Sequence, residues 1–187
     1  MNLSLIPRVR VNYTLPDLIK SLFVSEKSTD RREKCNEILS SFYGGENVIL
    51  TPSSRDAIYE LLVRLPQKKV VIPSYTCMVV NEAVILSGKD VVYAKSDLDT
   101  FNSSYLEYID KDCIVLATHQ YGLPCNIKEI AEKCKETGAV LIEDCATSMG
   151  TTVDGQMTGT FGDYAVISLN QSKTLTVNPI GGGYFDW

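Results

Sequence analysis

The stretches Cys113-Ile-Val-Leu-Ala-Thr118 and Ala139-Val-Leu-Ile142 decide the fold. Both are short apolar runs rich in branched residues, which is typical of strands buried on both faces of a sheet. Residues 126–137 between them are predicted to be helical, and Gly138 stands where a helix C-terminus favours a left-handed residue. A strand, a helix and a second strand in this order predict two parallel strands joined by a helical crossover.

The same alternation extends in both directions from these two runs. Further strands are predicted at residues 47–51, 70–73, 91–94 and 164–168, and further helices at 30–42, 55–65, 78–86 and 104–109. The predicted fold class is therefore α/β, a three-layer α/β/α arrangement with a mostly parallel sheet. Residues 1–29 show no sustained periodicity and contain Pro7 and Pro16, so an irregular N-terminal arm is predicted there.

Composition and charge disfavour a nucleic-acid-binding role. The chain has 187 residues, of which 44% are hydrophobic and 22% are charged, as in ordinary folded domains. Its 18 basic and 23 acidic residues give a formal net charge of -5, the wrong sign for neutralising phosphates along DNA or RNA. We therefore expect no nucleic-acid partner.

The cysteines indicate whether a metal or a disulfide is expected, and the apolar segments indicate whether the chain enters a membrane. Six cysteines without a C-x-x-C pair, together with a single histidine, offer no zinc-ligand spacing, so no metal site is predicted. The cysteines are interpreted as free thiols of a reducing cytoplasm. The longest apolar region, residues 70–86, is interrupted by Pro73, Asn81 and Glu82, so membrane insertion is not expected.

Ligands of such sheets bind beyond the carboxyl ends of the strands, so the polar residues that follow each apolar run are the candidates. Ser53 and Ser54 precede the helix at 55–65, where free N–H groups can receive a phosphate. Asp144 follows one run, and Ser168 and Lys173 follow another. A phosphate seat, an acid and a lysine are thus predicted to converge at one edge of the sheet.

This set suits pyridoxal phosphate (PLP), because that cofactor needs a lysine amine, a carboxylate for its pyridine nitrogen and an anion seat. Lys173, Asp144 and the helix start at Ser54 would supply these three groups. Ordinary roles fit the same residues: a strand-end aspartate often caps a helix, a loop lysine is usually solvated, and paired serines often serve only as a cap. The residues by themselves leave both interpretations open.

Several short motifs stand in a fixed order along residues 54–182. They are Ser54-Arg-Asp-Ala-Ile58, Pro73-Ser-Tyr-Thr-Cys77, His119-Gln-Tyr-Gly122, Ile142-Glu-Asp-Cys-Ala146, Gly159-Thr-Phe-Gly162 with Asp163, the stretch from Ser168 to Lys173, and Gly181-Gly182. In this order they resemble the large domain of the DegT/DnrJ-type sugar aminotransferases. These are PLP enzymes of fold type I, with an aspartate aminotransferase-like large domain, that aminate nucleotide-linked keto sugars.

The resemblance implies a role for each matching residue. Lys173 would bind PLP covalently and move protons between substrate and cofactor. Asp144 would pair with the pyridine nitrogen, while Ser168 and the backbone amides of Ser54 and Arg55 would hold the phosphate. For Ser168 the alternative is a strand-end hydroxyl bonded to its own loop.

Two positions depart from the family's pattern, and one residue stays open. Cys77 stands where many relatives stack an aromatic ring on the pyridine, and Thr147 stands where they place a glutamine near the cofactor's 3′ oxygen. Both contacts would be weaker or rebuilt here. His119 is left open between a residue that lines the pocket and a hydrogen-bonded core histidine.

By this resemblance we expect a cytoplasmic, homodimeric PLP-dependent aminotransferase of polysaccharide or amino-sugar biosynthesis. It would transfer an amino group, with glutamate as the expected donor, to a nucleotide-linked keto sugar. Residues 30–187 would be the PLP-binding large domain, incomplete and without the C-terminal small domain of these relatives.

Two alternatives stand beside this expectation. Another fold type I enzyme, a lyase or a dehydratase, is one, although dehydratases of this family replace the lysine by histidine whereas Lys173 is retained here. A shortened, non-catalytic chain that serves as a binding or assembly partner is the other. Length favours it, and the intact pair of Asp144 and Lys173 opposes it.

Overall fold

The computed structural model describes residues 14–22, 28–44, 47–170, 173 and 182–186. Seven strands form the main sheet, and two short strands form a separate hairpin. In chain order the strands are β1 (Asn47–Thr51), β2 (Lys69–Pro73), β3 (Asp90–Ala94), β4 (Cys113–Thr118), β5 (Val140–Asp144), β6 (Thr152–Val153), β7 (Gln156–Met157), β8 (Tyr164–Ser168) and β9 (Gly182–Asp186).

In the described ranges, five α-helices accompany the strands. They are α1 (Leu15–Leu22), α2 (Ser28–Tyr43), α3 (Ser54–Arg64), α4 (Met78–Leu86) and α5 (Ile127–Thr137). Two single turns of 3-10 helix lie at Leu106–Tyr108 and Gln120–Gly122. Within the ranges given above, no helix combines the length and the apolar character that crossing a bilayer requires.

The order of strands in the main sheet is β1-β9-β8-β5-β4-β2-β3. Strands β2, β3, β4, β5 and β8 pair in parallel, whereas β9 is antiparallel to both of its neighbours, β1 and β8. The mostly parallel sheet expected from the sequence is thereby confirmed. The carboxyl ends of β2, β4, β5 and β8 consequently lie along one edge.

Hydrophobic cores on the two faces of the sheet produce the three layers. On one face, Leu62 of α3 and Val84 of α4 share a buried cluster with Ile142 of β5. On the other face, Ile130 of α5 belongs to a cluster with Leu141. Side chains alternate between the faces of a strand, so Asp144 points to the α3–α4 side and Glu143 to the α5 side.

Local sequence signals explain where two helices begin and end. The side chain of Ser53 caps α3, because its Oγ accepts a hydrogen bond from the backbone N–H of Asp56 at 3.1 Å. Helix α5 ends at Gly138, which has a φ of 80° and donates its N–H to the carbonyl of Cys134. Both the serine cap and the glycine terminator were predicted from the sequence.

The structure differs from the sequence predictions in two helical segments. The prediction of an irregular arm is wrong for residues 15–22, which form α1, because Pro16 lies in the first turn of a helix, where proline costs no hydrogen bond. Residues 104–109 contain only the single turn Leu106–Tyr108 instead of a helix. Residues 1–13 and 23–27 of the predicted arm lie outside the described part.

Candidate active site

Asp144 is the most buried titratable group at the carboxyl edge on the α3–α4 side. It is the last residue of β5 and lies opposite Thr118 of β4 in the parallel register. Its Oδ1 accepts the backbone N–H of Ala146 at 3.0 Å, and the hydroxyl of Thr118 makes a long 3.4 Å contact with its Oδ2. The position agrees with the sequence prediction, which placed Asp144 at a strand end.

The environment of Asp144 favours a positively charged hydrogen-bond donor. Burial raises the pKa of this carboxyl, and the amide of Ala146, the charges of Lys173 and His119, and the hydroxyl of Thr118 oppose that rise. A carboxylate offers about four acceptor positions, whereas two donors from the described residues reach this one. A protonated pyridine nitrogen would be a further donor to this carboxylate, so the residues fit PLP.

Lys173 and Ser168 belong to the segment that leaves β8. Ser168 ends the strand and is almost fully buried. Lys173 is half-buried, its backbone N–H donates to the carbonyl of Asn170, and its charge acts on Asp144. The structure therefore brings the predicted lysine and the predicted acid to the same edge of the sheet.

The N-terminus of α3 lies directly beside the end of β8. The hydroxyl of Ser54 donates to the backbone carbonyl of Ile167 at 3.0 Å, next to Ser168. The backbone N–H groups of Ser54 and Arg55 are in the first turn of the helix, where no intrahelical acceptor exists. The Arg55 guanidinium is half-exposed and pairs with Glu82 at 3.5 Å.

Cys77 and Thr147 occupy loops at the same edge. Cys77 follows β2, is exposed and forms the N-cap of α4 without a side-chain hydrogen bond to the helix. Thr147 is also exposed, and its hydroxyl donates to the carbonyl of His119 at 2.7 Å. No direct contact joins either side chain to Asp144 among the described residues.

His119 is a hydrogen-bonded core histidine, which resolves the alternative left open by the sequence. The ring is fully buried; its Nδ1 accepts the backbone N–H of Cys125 at 3.3 Å, and its Nε2 lies 3.2 Å from Oε2 of Glu143. Because Nδ1 acts as an acceptor, the N–H at Nε2 is the one directed at Glu143.

Glu143, for which the sequence predicts no role, is fully buried on the α5 side of β5. Its Oε1 accepts the backbone N–H groups of Phe161 and Gly162 at 2.6 and 2.9 Å. Its Oε2 accepts the N–H of Gly159 at 2.8 Å and faces His119. The available signal was a charged residue inside an apolar strand. A buried carboxylate needs several hydrogen-bond donors, so such a residue indicates a hydrogen-bonding role.

The glycines of the Gly159-Thr-Phe-Gly162 motif are explained by the same contacts. A Cβ on Gly162 would lie 2.8 Å from the carbonyl oxygen of Leu141, closer than real Cβ atoms come. Gly159 has a φ of 91°, and a Cβ there would crowd Cys145 and Tyr43 at 3.2 Å. The turn can approach β5 only because both positions are glycine.

Cys125, His119 and Glu143 form a row that superficially resembles a cysteine-histidine-acid triad. The Sγ of Cys125 lies 3.6 Å from Nδ1 of His119. Burial raises the pKa of the Cys125 thiol to about 12, so the thiolate is scarce at neutral pH. The row is consequently a buried hydrogen-bonding network rather than a nucleophilic site, and Cys145 beside it is equally buried.

The fold and the residues at the carboxyl edge define an α/β protein with a candidate ligand site beyond its parallel strands. The chain belongs to the DegT/DnrJ/EryC1/StrS aminotransferase family, whose model matches residues 17–183. The resemblance inferred from the ordered motifs is therefore confirmed.

Two curated relatives illustrate the similarity. A GDP-perosamine synthase of Vibrio cholerae is 34% identical over 112 residues, which cover 58% of this chain and 30% of that protein. EpsN of Bacillus subtilis, named as a pyridoxal phosphate-dependent aminotransferase, is 31% identical over 144 residues, 70% of this chain and 37% of its own length. The chain thus spans about a third of the length of the curated relatives it matches.

A solved structure shows the same fold. GDP-4-keto-6-deoxymannose-3-dehydratase (ColD), crystallised as a variant with GDP-perosamine, superposes with a TM-score of 0.82 at 18% identity. The match covers 96% of this chain and 51% of that one. At this identity the similarity concerns the fold alone, and it agrees with the three-layer arrangement described above.

Proposed function

We propose that this chain binds PLP at the edge formed by Asp144, Ser168, Lys173 and the start of α3, within a large domain of residues 30–187. The observation that supports this most directly is the buried Asp144 carboxyl, whose pKa is raised by burial and which lies within the field of Lys173. A second support is the bond from Ser54 to Ile167, which sets the free N–H groups of a helix start beside Ser168.

Each residue would have a distinct task at this site. Asp144 would accept the N–H of the protonated pyridine, and Lys173 would hold the cofactor covalently at rest and, once its amine is released, would move a proton at the reacting carbon of the substrate. Ser168 and the backbone amides of Ser54 and Arg55 bind the phosphate. When bound, PLP supplies the electron sink that stabilises negative charge at that carbon.

The proposed reaction is amino transfer to a nucleotide-linked keto sugar, with glutamate as the donor. The names of the relatives, which include GDP-perosamine synthases and a UDP-N-acetyl-3-dehydro-alpha-D-glucosamine 3-aminotransferase, support this class of substrate for the family. We further propose that the protein acts as a homodimer in the cytoplasm. Cys77 and Thr147 would lie beside the cofactor ring. Cys77 would stand in place of the stacked aromatic ring, and Thr147 in place of the glutamine.

Borohydride reduction tests the covalent site. The protein is incubated with PLP, reduced, digested and examined by mass spectrometry, and the pyridoxyl label is expected on Lys173. Lys128, which is exposed and pairs with Asp154 at the surface, serves as an internal control for non-specific labelling. A label on other lysines alone, or no label, would contradict the proposal.

Substrate class is tested separately with the PLP-loaded protein. Glutamate alone should convert the cofactor to its amino form, which absorbs at shorter wavelength, and a nucleotide-linked keto sugar should restore the original spectrum. Conversion by glutamate without restoration by any keto sugar would contradict the sugar acceptor and leave the PLP site standing.

A further inference from the structure

Glu143 is a fully buried carboxylate whose hydrogen-bond donors come from outside its own strand. Four N–H donors converge on its two oxygens, from His119, Gly159, Phe161 and Gly162. An ionised carboxylate only accepts hydrogen bonds and has about four acceptor positions, so these four donors satisfy it. These donors come from two separate segments, one after β4 and one before β8, which Glu143 joins to β5.

We propose that Glu143 is a positioning residue for the PLP site: it fixes where Asp144 and Ser168 stand at the ends of β5 and β8. This inference rests on the proposed function, since it concerns the same strand ends. Glu143 itself lies on the α5 side of the sheet and acts through the segments that it holds.

The segment before β8 sets the register of that strand. The turn held by Glu143 continues into Asp163, whose N–H donates to the carbonyl of Leu141 and whose Oδ2 accepts the N–H of Leu141 at 2.8 Å. Tyr164 then pairs with Ile142. A slip of one residue would turn Ser168 to the opposite face, so an anchored turn keeps it beside Ser54.

The segment after β4 constrains the surroundings of Asp144. His119, held through Nε2 by Glu143, receives the hydroxyl of Thr147 on its carbonyl at 2.7 Å. Thr118, which contacts the Asp144 carboxyl, immediately precedes His119. The loop after β4 and the loop after β5 are therefore tied together on both sides of Asp144.

Glu143→Gln is the informative substitution because it keeps the size of the side chain and replaces one hydrogen-bond acceptor, a carboxylate oxygen, by a donor, the amide nitrogen. Each oxygen of Glu143 receives two N–H groups, so an amide nitrogen in either orientation would face two donors. Glu143→Asp keeps the carboxylate on a shorter stem and should have an intermediate effect. Glu132→Gln, the same change at an exposed position of α5, is the matched control.

PLP affinity is measured by absorbance titration at a temperature where each variant is folded, with hydrogen exchange of the turn amides measured on the protein without PLP. We expect Glu143→Gln to raise the Kd for PLP about tenfold, equivalent to one strong hydrogen bond. The amides of Gly159, Phe161 and Gly162 should exchange faster in the same variant. Glu132→Gln should change neither quantity.

The outcomes separate this inference from the proposed function. A folded Glu143→Gln variant that binds PLP as tightly as the wild type overturns the positioning role, even if its unfolding temperature is lower. If Glu143→Gln does not fold, Glu143→Asp decides, and wild-type affinity in that variant has the same meaning. A wild-type protein that does not bind PLP contradicts the proposed function and this inference together.

Discussion

The hydroxyl of Ser54 is bonded to the backbone carbonyl of Ile167 at 3.0 Å, although the two residues are 113 positions apart in the sequence. The bond joins the first residue of α3 to the residue that precedes Ser168. The start of the helix and the end of β8 are thereby held together, and an anion at this place would contact both.

Ser53, which caps α3, and Ser54, its first residue, should separate helix stability from phosphate binding. Ser53→Ala removes the cap and Ser54→Ala removes the bond to β8, and each should lower the free energy of unfolding by about 1 kcal/mol. Only Ser54→Ala should weaken PLP binding by several-fold, since it alone frees the helix start from β8. Denaturant unfolding and PLP titration of both variants measure this, and equal PLP affinities would argue against the proposed phosphate seat.

Asp144→Asn should weaken PLP binding while leaving the fold intact. A neutral amide of similar size loses the charge-assisted bond to the pyridine nitrogen, worth about 1.5–3 kcal/mol, or about tenfold or more in affinity. Absorbance titration with PLP measures the change. Asp99→Asn, at an exposed position, is the control, and unchanged affinity in Asp144→Asn would show that this carboxyl is only a cap.

Without PLP, Asp144→Asn should become more stable relative to the wild type as the pH rises. Because burial raises the folded-state pKa of Asp144, the native state holds its proton at pH values where the unfolded chain has lost it. Stability conferred by the protonated form is complete below the unfolded value of about 3.9 and is lost as pH rises through the higher folded value. Across this pH window, the unfolding temperature of Asp144→Asn should rise relative to that of the wild type. A difference in unfolding temperature that does not change with pH would contradict the raised pKa of Asp144.

Cys77 should be the most reactive cysteine of the protein. Its thiol is exposed, whereas Cys125 and Cys134 are buried and burial raises the pKa of each to about 12. Iodoacetamide labelling followed by mass spectrometry should modify Cys77 first, and bound PLP should slow that reaction. Cys35, which is half-buried on α2, is the internal control, and labelling of Cys77 that PLP does not affect would place this residue away from the cofactor.

Cys77→Phe should be tolerated and should tighten PLP binding. The exposed position has room for the ring, and stacking on the pyridine contributes about 0.5–1.5 kcal/mol, or up to about tenfold in affinity. Met78→Phe, one residue further on and also exposed, should leave the affinity unchanged. Loss of folding in Cys77→Phe would show that this segment faces a tightly packed region.

The sequence predicts the central strands well because their signal is local. All six side chains of β4 are buried, and such a strand shows an unbroken apolar run that no surface strand would tolerate. Asp144, Ser168 and Ser54 are found at strand and helix ends for the same reason. Their grouping at one edge follows from parallel pairing, so that part of the candidate site could also be predicted.

Other features depend on distant contacts and leave little local trace. Strand β9 is glycine-rich and inserts between β1 and β8, and one of these two partners, β1 at residues 47–51, is far away in the sequence. Glu143 is similar, because its donors belong to a turn more than a dozen residues later and to the loop after β4. A sequence can show that a charge lies inside a strand, but the structure is needed to show what holds it there.

The insertion of β9 has a consequence for the order of folding. Within the described ranges, β1 has a single hydrogen-bonded strand neighbour, β9, so residues 47–51 must wait for residues 182–186 before they pair. During synthesis at the ribosome, the sheet from β8 to β3 can assemble while β1 still has an open edge. Such late, non-local closure slows folding and leaves an unpaired strand exposed to aggregation. We therefore expect newly synthesised protein to depend on chaperones for folding.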